Sequence, residues 1–211
     1  MRHLKPRVAG VPDHARMPRR ILIIQGHPDL SQPHLCHRLA QAYTSGALEA
    51  GHELRTIEIG SLDFPLLRSK AEWDDAPVPT SLLPAQADIL WAEHIVFFFP
   101  LWLGGMPALL KGFLEQVARP GFALSKFGVD KFPKKLLSGR SARLVVTMGM
   151  PAMVYRWIFR AHSLKALERN ILGFVGISPV HETLVGTVEG LSPAQLDQWF
   201  RKLAALGRAG S

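Results

Sequence analysis

Cysteine is nearly absent from this sequence: Cys36 is the single cysteine among 211 residues. One cysteine cannot form a disulfide within the chain, which excludes the disulfide-stapled folds of small secreted proteins. No apolar segment of sufficient length follows the basic N-terminal residues, since the run ILIIQG is too short for a secretory signal. We therefore expect a protein of a reducing compartment, with a cytoplasmic location.

The sequence also lacks an apolar helix of membrane-spanning length. Its uncharged run from Ile95 to Leu110 has sixteen residues, whereas a spanning helix needs about 20 predominantly apolar residues. Two prolines and a glycine pair fall inside this run and would interrupt a helix. The pattern instead predicts a buried strand at 94–99, then a loop, then a helix that begins at Pro107.

Positive charge is unevenly distributed along the chain. The formal net charge is +8, but residues 1 to 20 hold six Lys or Arg and one Asp, a net of +5. No aromatic residue interleaves these charges, so we expect a disordered arm over residues 1–19 and no nucleic-acid binding. Residues 20–211 have the length of a single domain.

Two familiar site motifs are missing. There is no G-x-G-x-x-G, which marks dinucleotide-binding Rossmann domains, and no G-x-S-x-G, which marks the nucleophile of α/β-hydrolases. The chain does contain apolar strand-like runs that alternate with helical patterns. These runs lie at 19–27, 53–59, 94–99, 142–149 and 180–188. The alternation predicts an α/β fold, a flavodoxin-like three-layer sandwich whose five-stranded parallel sheet has the order 2-1-3-4-5 with helices on both faces.

In such a sheet, ligands bind beyond the carboxyl ends of the strands. This rule selects the loops at 26–33, 100–106 and 148–156. The first loop leads into a helix, whose free N–H groups and dipole favour a phosphate.

Side chains of the first loop allow three interpretations. Ser31, His27 and His34 can donate hydrogen bonds to a phosphate. Equally, Ser31 and Asp29 can serve only to cap a helix and a turn. A metal site at His27, His34 and His37 is disfavoured, because no carboxylate or closed four-ligand pattern joins them.

The second loop contains three neighbouring large apolar residues, Leu101, Trp102 and Leu103. A tight loop cannot bury all three, so we expect them to face a flat apolar ligand or a partner chain. Gly104 would let the backbone approach that ligand closely.

The third loop can offer hydrogen bonds to a ring edge through Thr147 and Gly149. Tyr155 can donate a phenolic proton, with His162 as its support. Taken alone, Tyr155 and His162 are each better explained by an ordinary structural role, a half-buried tyrosine and a histidine at a helix start.

Three segments together resemble one known family. ILIIQGHPD, FFFPLWLGGMPALLKGFLEQV and TMGMPAMVYRW are similar to NAD(P)H:quinone oxidoreductases of flavodoxin-like fold, a family that includes flavoprotein ancillary subunits of bacterial potassium-efflux systems. The resemblance covers about residues 20 to 206. Its most specific part is the run F-P-L-x-x-x-G-x-P-A-x-L-K-G-[FW].

The resemblance implies a role for each loop residue. Residues around the ribityl phosphate of a flavin would be His27, Ser31, Pro33 and His34. Residues along its ring would be Pro100, Leu101, Trp102, Leu103 and Gly104. Residues at the ring edge would be Thr147, Met148, Gly149 and Met150, with Tyr155 above the flavin. Catalysis would use Tyr155 and His162, whose separation is one residue longer than in the mammalian enzymes. The quinone pocket would include Phe122, Leu124 and Lys126.

The activity implied by the resemblance is two-electron, ping-pong hydride transfer from NADH or NADPH through a flavin to a quinone-like acceptor. The chain length favours FMN, with FAD possible, and the family builds its sites across a homodimer. Two alternatives stay open: a flavoprotein regulatory subunit that contacts a membrane potassium-efflux system, and a non-enzymatic electron carrier of flavodoxin type.

Overall fold

The computed structural model describes residues 17–126 and 133–211. Residues 1–16 of the arm that was predicted over residues 1–19 lie outside the described residues. Arg19, by contrast, is held by the folded body: its backbone N–H donates to His52 Nδ1 at 3.0 Å, and its guanidinium donates to the carbonyl of Gly210 at 2.7 Å. The folded domain therefore begins no later than Arg19.

A single five-stranded parallel sheet forms the centre of the molecule. Its strands are β1 Arg20–Gln25, β2 Glu53–Glu58, β3 His94–Pro100, β4 Ser141–Thr147 and β5 Val180–Val185. The strand order β2-β1-β3-β4-β5 confirms the predicted topology. Every residue of β3 is buried, as expected for a central strand that is covered on both faces.

Helices cover both faces of this sheet. They are α1 Leu35–Glu49, α2 Lys70–Asp74, α3 Leu83–Trp91, α4 Ala108–Val117, α5 Ala152–Trp157, α6 His162–Lys165, α7 Gly173–Val175 and α8 Pro193–Arg208. Short 3₁₀ turns lie at Ile59–Ser61, Thr80–Leu82 and Val188–Gly190, and a π-helix lies at Ala166–Leu172. Within the described ranges, no helix is both long and apolar enough to cross a membrane.

The alternation of side chains along each strand divides the core into two layers. On one face, Ile21, Ile23 and Phe98 pack under α1 and α8. On the other face, the side chains of Leu22, Ile24 and Phe97 join those of α3, α4, α6, α7 and the π-helix. This three-layer arrangement confirms the predicted sandwich.

Close packing of α1 against α8 depends on glycine. A Cβ at Gly46 would lie 2.0 Å from the carbonyl oxygen of Ala204, and one at Gly207 would lie 2.1 Å from that of Tyr43. The two helices approach each other closely at these glycines. Helix α8 can therefore cover the same face of the sheet as α1.

Three local differences from the sequence prediction matter for the site. Pro100 belongs to β3 and is buried, so the second loop begins one residue later than expected. The third loop ends early because α5 starts at Ala152. The final helical pattern before β5 divides into α6, the π-helix and α7.

Candidate functional site

The three predicted loops leave adjacent strands at the carboxyl edge of the sheet. The N–H of Gly26, after β1, donates to the carbonyl of Phe98 in β3 at 2.7 Å. The N–H of Leu101, after β3, donates to the carbonyl of Thr147 in β4, also at 2.7 Å. A Cβ at Gly26 would lie 2.8 Å from Leu110 Cδ2, so glycine lets the first loop pass close to α4. The loop bases are therefore locked together by the sheet.

The first loop is organised by Asp29 and two stacked imidazoles. Asp29 Oδ1 accepts the N–H of Ser31 at 2.8 Å, and Asp29 Oδ2 lies 2.7 Å from His34 Nε2. The ring of His34 stacks on that of His27, with centroids 3.9 Å apart and an interplanar angle of 15°. The capping interpretation is thus correct for Asp29, while the backbone of His34 caps α1.

The contacts in the first loop determine the protonation of Asp29 and His27. Hydrogen bonds from Ser31, reinforced by His34, hold the pKa of Asp29 well below its usual range. Burial, together with repulsion from His34 and His37, lowers the pKa of His27. At neutral pH the loop therefore carries an ionised Asp29 and an uncharged His27 imidazole.

Backbone donors at the start of α1 are free. No acceptor in the described part of the chain takes the N–H of Leu35 or Cys36, which are the first two residues of the helix. Ser31 and Pro33 are exposed beside them. Because the positive end of the helix dipole adds to these donors, the position favours an anion.

The second loop forms a tight turn that projects from the sheet. The N–H of Trp102 donates to the carbonyl of Gly105, and the N–H of Gly105 donates to that of Trp102, both at 2.9 Å. Leu103 and Gly104 occupy the tip with φ of 47° and 80°. Leu103 is fully exposed and Trp102 is 48% exposed, as the sequence predicted for residues that face outward.

Trp102 also joins the second loop to the first. The edge of its indole meets the ring of His27, with centroids 5.7 Å apart. Leu101 packs against the core below this contact. The turn thus places an aromatic and an apolar surface beside the first loop, while a Cβ at Gly104 or Gly105 would meet nothing within 4 Å.

The third loop is supported from below by the segment that follows β5. Thr187 N–H donates to the carbonyl of Met150 at 3.1 Å, and Val188 N–H donates to that of Met148 at 3.2 Å. A Cβ at Gly186 would lie 2.4 Å from the backbone nitrogen of Ala152. Sequence reasoning missed this support, although a glycine directly after a strand was the available signal.

Free donors also occur in the third loop. Within the described residues, the N–H groups of Gly149 and Met150 have no acceptor. A Cβ at Gly149 would meet nothing within 4 Å, so the backbone there faces open space. This arrangement can receive the polar edge of a flat molecule.

Thr147 requires a correction. Its hydroxyl, predicted to reach the ligand, lies 3.0 Å from Cys36 Sγ, and its carbonyl already accepts the N–H of Leu101. Thr147 therefore joins β4 to α1, because its side chain points to the α1 face of the sheet. Burial raises the pKa of the Cys36 thiol to about 12, despite the hydrogen bond from Thr147. That thiol is not a nucleophile at neutral pH.

The predicted pairing of Tyr155 with His162 is also corrected. Tyr155 is buried, and its phenolic oxygen lies 2.6 Å from Ser163 Oγ. His162 is exposed at the first position of α6. Arg160 and Ala161 both have positive φ, and this tight turn brings the residue after His162 to the phenol. Ser163 is therefore the partner of the hydroxyl, and its presence was not predicted.

The three residues proposed for a quinone pocket have different environments. Leu124 is fully buried in the core and forms part of the wall of a cleft of about 200 Å³ beside α4 and the π-helix. Phe122 is partly buried against the same core, and Lys126 is exposed. Leu124 thus packs in the core and also lines this cleft, and its contact with a quinone stays a prediction.

The described residues contain no group of three or more His, Cys, Asp or Glu that could hold a metal ion. His27, His34 and His37 lie near one another, but their ring contacts are stacked or tilted. The polar groups at this edge are therefore suited to hydrogen bonding.

Known proteins resemble this chain in both sequence and structure. The profile of the family described as flavodoxin-like fold matches residues 19–206. The ribosyldihydronicotinamide dehydrogenase-like protein traD of Penicillium crustosum is 30% identical over 156 residues, which cover 62% of this chain and 57% of that protein. The FMN-dependent NADH:quinone oxidoreductase of Bordetella petrii is 31% identical over 115 residues, or 52% and 50% of the two chains. The chain thus spans about half the length of these curated relatives.

Among solved structures, Smu.1420 from Streptococcus mutans UA159 superposes with a TM-score of 0.75. It is 26% identical in sequence, and the match covers 90% of this chain and 98% of that one. The likeness therefore extends over most of this chain.

Proposed function

This chain belongs to the flavodoxin-like fold family that includes NAD(P)H:quinone oxidoreductases, and on that premise we propose that it is an FMN-dependent NAD(P)H dehydrogenase acting on quinones. The observation that carries the proposal is the convergence of three loops at one edge. They combine free backbone donors, an exposed aromatic surface and glycines that face open space.

The residues of this edge fit a flavin mononucleotide. The free N–H groups of Leu35 and Cys36, with the Ser31 hydroxyl beside them, would hold its phosphate. The exposed faces of Trp102 and Leu103 would support its ring. The open backbone at Gly149 supports this fit, because a side chain there would occupy the space that a ring edge needs.

The chemistry that a bound FMN supplies is two-electron reduction, with a hydride accepted from NADH or NADPH and delivered to a quinone-like acceptor. The chain's own contribution is to position and stabilise. The N–H groups of Gly149 and Met150 would donate to negative charge that develops at the ring edge. Their fixed orientation is maintained by Thr187 and Val188, so little reorganisation is needed during the reaction.

Tyr155 would hold a proton at the site. Its phenolic hydroxyl is kept in place by Ser163 Oγ at 2.6 Å, and the tyrosine follows the third loop directly. A hydroxyl in this position can donate to an anionic oxygen or nitrogen of a bound molecule and regain its hydrogen bond with Ser163 afterwards. We assign Ser163 as a positioning residue for Tyr155.

We also propose that the chain acts as a homodimer. The site edge carries a set of apolar side chains that a monomer leaves in water. They are Trp102, Leu103, Met153, Trp157, Ile158 and Phe159, each about half exposed or more. Large exposed apolar side chains that gather at one edge are typical of an association site, and a second copy would cover the open side of the proposed flavin site. Trp157→Glu should convert the dimer to a monomer in size-exclusion chromatography with light scattering, whereas Leu48→Glu, on exposed α1 surface, should not.

The test of the activity begins with the visible spectrum of the purified protein before and after incubation with FMN or FAD. Menadione reduction is then followed with NADH and with NADPH. We expect a yellow protein that prefers FMN and turns over with one of the two nicotinamides. A protein that takes up neither flavin would overturn the proposal. Stable flavin binding without turnover would favour a regulatory flavoprotein subunit or an electron carrier.

A further inference from the structure

A surface cleft beside the edge strand β5 has an excess of positive charge. Its volume is about 440 Å³, and its wall is formed by α5, the turn before α6, the end of α6, the π-helix and β5. The charged residues that line it at neutral pH are Arg156, Arg160, Lys165, Arg169, Glu168 and Glu182. Four cations and two carboxylates thus share one cavity.

Only one cation of this cleft is neutralised by an ion pair. Arg156 Nη2 donates to Glu182 Oε2 at 3.0 Å. The side chains of Arg160, Lys165 and Arg169 make no hydrogen bond or ion pair with any residue that the structure describes. Glu168 is the remaining carboxylate of the wall, so three unpaired cations minus one carboxylate leave an excess of two positive charges.

The backbone at Arg160 adopts an unfavourable conformation. Arg160 and Ala161 have φ of 54° and 47°, in the left-handed region that strains a side chain with a β-carbon. The turn is fixed on both sides, because the N–H of Ala161 donates to the carbonyl of Tyr155 at 3.1 Å and its carbonyl accepts the N–H of Lys165 at 3.0 Å. Asparagine would form this turn with less strain. Residues strained in this way often lie at ligand-binding sites.

Two further charged residues of the wall lie in the π-helix Ala166–Leu172. This segment contains Glu168 and Arg169, and it follows Lys165, the last residue of α6, directly. Short π-helical segments are rare and occur frequently at functional sites. A strained turn and an irregular helix therefore bring the three unpaired cations to one cleft.

We propose that this cleft binds a dianionic phosphate group, as the free ion or as the monoester of a small organic molecule. A phosphate monoester carries a charge of about −1.5 to −2 at neutral pH, which matches the excess of two positive charges. Guanidinium groups donate paired hydrogen bonds to phosphate oxygens, and a lysine ammonium adds a point charge. The cleft is larger than a phosphate ion, so it has room for an organic group as well.

This inference does not depend on the proposed oxidoreductase activity. None of the charged residues of the cleft belongs to the proposed flavin or quinone site, so the cleft can bind phosphate whether or not the chain turns over a quinone. Failure of one proposal therefore leaves the other unaffected.

Diffraction from crystals soaked in tungstate tests the position on the unaltered protein, because tungstate is a tetrahedral dianion with a strong anomalous signal. We expect an anomalous peak in the cleft, within hydrogen-bond distance of the Arg160 and Arg169 guanidinium groups. Tungstate peaks that all lie outside the cleft would overturn the proposal.

Thermal unfolding tests binding in solution. At constant ionic strength, replacing chloride by phosphate should raise the melting temperature by a few degrees and approach saturation. A larger rise with phenyl phosphate would assign the site to an organic monoester, and an equal rise would assign it to the free ion.

Arg160→Asn should remove most of this rise and should melt no lower than the parent in chloride, since asparagine tolerates a positive φ. Arg201→Gln, which removes an exposed arginine from α8, is the matched control and should keep the rise. An unchanged rise in Arg160→Asn would place the phosphate elsewhere and refute the site.

Two variants of the π-helix test the role of charge by effects of opposite sign. Arg169→Gln should weaken phosphate binding in isothermal titration and Glu168→Gln should strengthen it, each by about two- to fivefold, as expected for one solvent-accessible charge. Shifts in the same direction would contradict the proposal. This pair also decides the question if Arg160→Asn does not fold.

Discussion

The two edges of the sheet hold polar groups under opposite conditions. At the carboxyl edge, imidazoles, a carboxylate and free N–H groups lie in loops that water reaches, and Asp29 Oδ2 lies within hydrogen-bond distance of His34 Nε2. At the amino edge, Arg143 and His94 are buried with unpartnered nitrogen atoms. The first edge is the one at which we propose that a flavin binds. The second keeps polar groups away from water without hydrogen-bond partners in the chain, which weakens the fold.

The energetic consequence differs accordingly. Changes to the exposed side chains of the carboxyl edge should alter ligand affinity or turnover with little effect on folding, whereas changes to its closely packed supports, such as Gly186, should affect both. Changes at the amino edge should alter the free energy of unfolding and leave flavin binding at the proposed site unchanged. Four experiments, ordered from the largest expected effect to the smallest, can sharpen or break this contrast.

The largest expected effect is the loss of folding stability at acidic pH that is caused by His94. Burial, together with the positive charges of Arg19 and Arg143, lowers the pKa of His94 to about 3. An unfolded chain binds this proton near pH 6.5, whereas the folded chain does not until about pH 3, so stability falls as the pH drops through that window. The loss is about 1.4 kcal/mol per pH unit.

Urea unfolding at several pH values between 7 and 4 measures this slope. His94→Gln should flatten it, whereas His181→Gln, which changes an exposed histidine of the same edge, should not. Equal slopes in all three proteins would mean that His94 exchanges its proton freely and that the amino edge is not a closed site.

Gly186→Ala should have the second largest effect. The new Cβ would lie 2.4 Å from the Ala152 nitrogen and 2.8 Å from the Met150 oxygen, so the third loop must shift. We expect a loss of about 2 kcal/mol in unfolding free energy and weak FMN binding. Gly149→Ala is the contrasting variant, because its Cβ meets no atom within 4 Å. It should retain the stability of the parent and lose about tenfold in FMN affinity, as measured by fluorescence titration, a loss of about 1.4 kcal/mol.

Trp102→Ala tests whether Trp102 belongs to the shelf, the exposed surface of Trp102 and Leu103 that we propose supports the flavin ring. Loss of an aromatic contact to a flat ligand should weaken FMN binding by about 1 kcal/mol, a change of five- to tenfold in Kd. The melting temperature without flavin should barely change, because Trp102 is half exposed. Phe174→Ala removes a comparably exposed aromatic ring from α7 and serves as the control. Equal flavin affinity in the two variants would show that Trp102 is not part of the shelf.

The smallest effect is expected at Tyr155. Tyr155→Phe should lower kcat about fivefold, about 1 kcal/mol, while flavin retention stays the same. Ser163→Ala should act in the same direction but less strongly, since the phenol remains without its anchor. His162→Ala should leave kcat unchanged because its side chain is exposed. A Tyr155→Phe protein that loses flavin, but is fully active in its remaining holoenzyme, would contradict this assignment.

The architecture was accessible from sequence because it depends on patterns along the backbone. The apolar run 94–99 could only be a central strand, and the serine at position 192 accepts the N–H of Gln195 as an N-cap should. The order of strands followed from the alternation of elements, and with it the prediction that three loops share one edge.

Side-chain directions were less accessible, because they are decided by neighbours distant in sequence. Thr147 turns toward Cys36, which lies 111 residues away, and Leu124 turns into the core. The Tyr155 hydroxyl bonds Ser163 and not His162 because the two residues before α6 have positive φ values. Arginine and alanine rarely adopt this conformation, so the sequence at Arg160 and Ala161 does not predict it. The short helix α5 was missed because its exposed face is apolar, the reverse of the usual amphipathic pattern.

Leu103 occupies a position in its turn that is unfavourable for leucine in two respects. At a φ of 47° the β-carbon of leucine causes steric strain, and asparagine or glycine would form the same turn with less strain. Leucine also gains nothing there from its own chain, since water surrounds it on every side. The proposed dimer would remove this side chain from water, and leucine at the tip of the turn would then contribute apolar surface to the contact between the two copies.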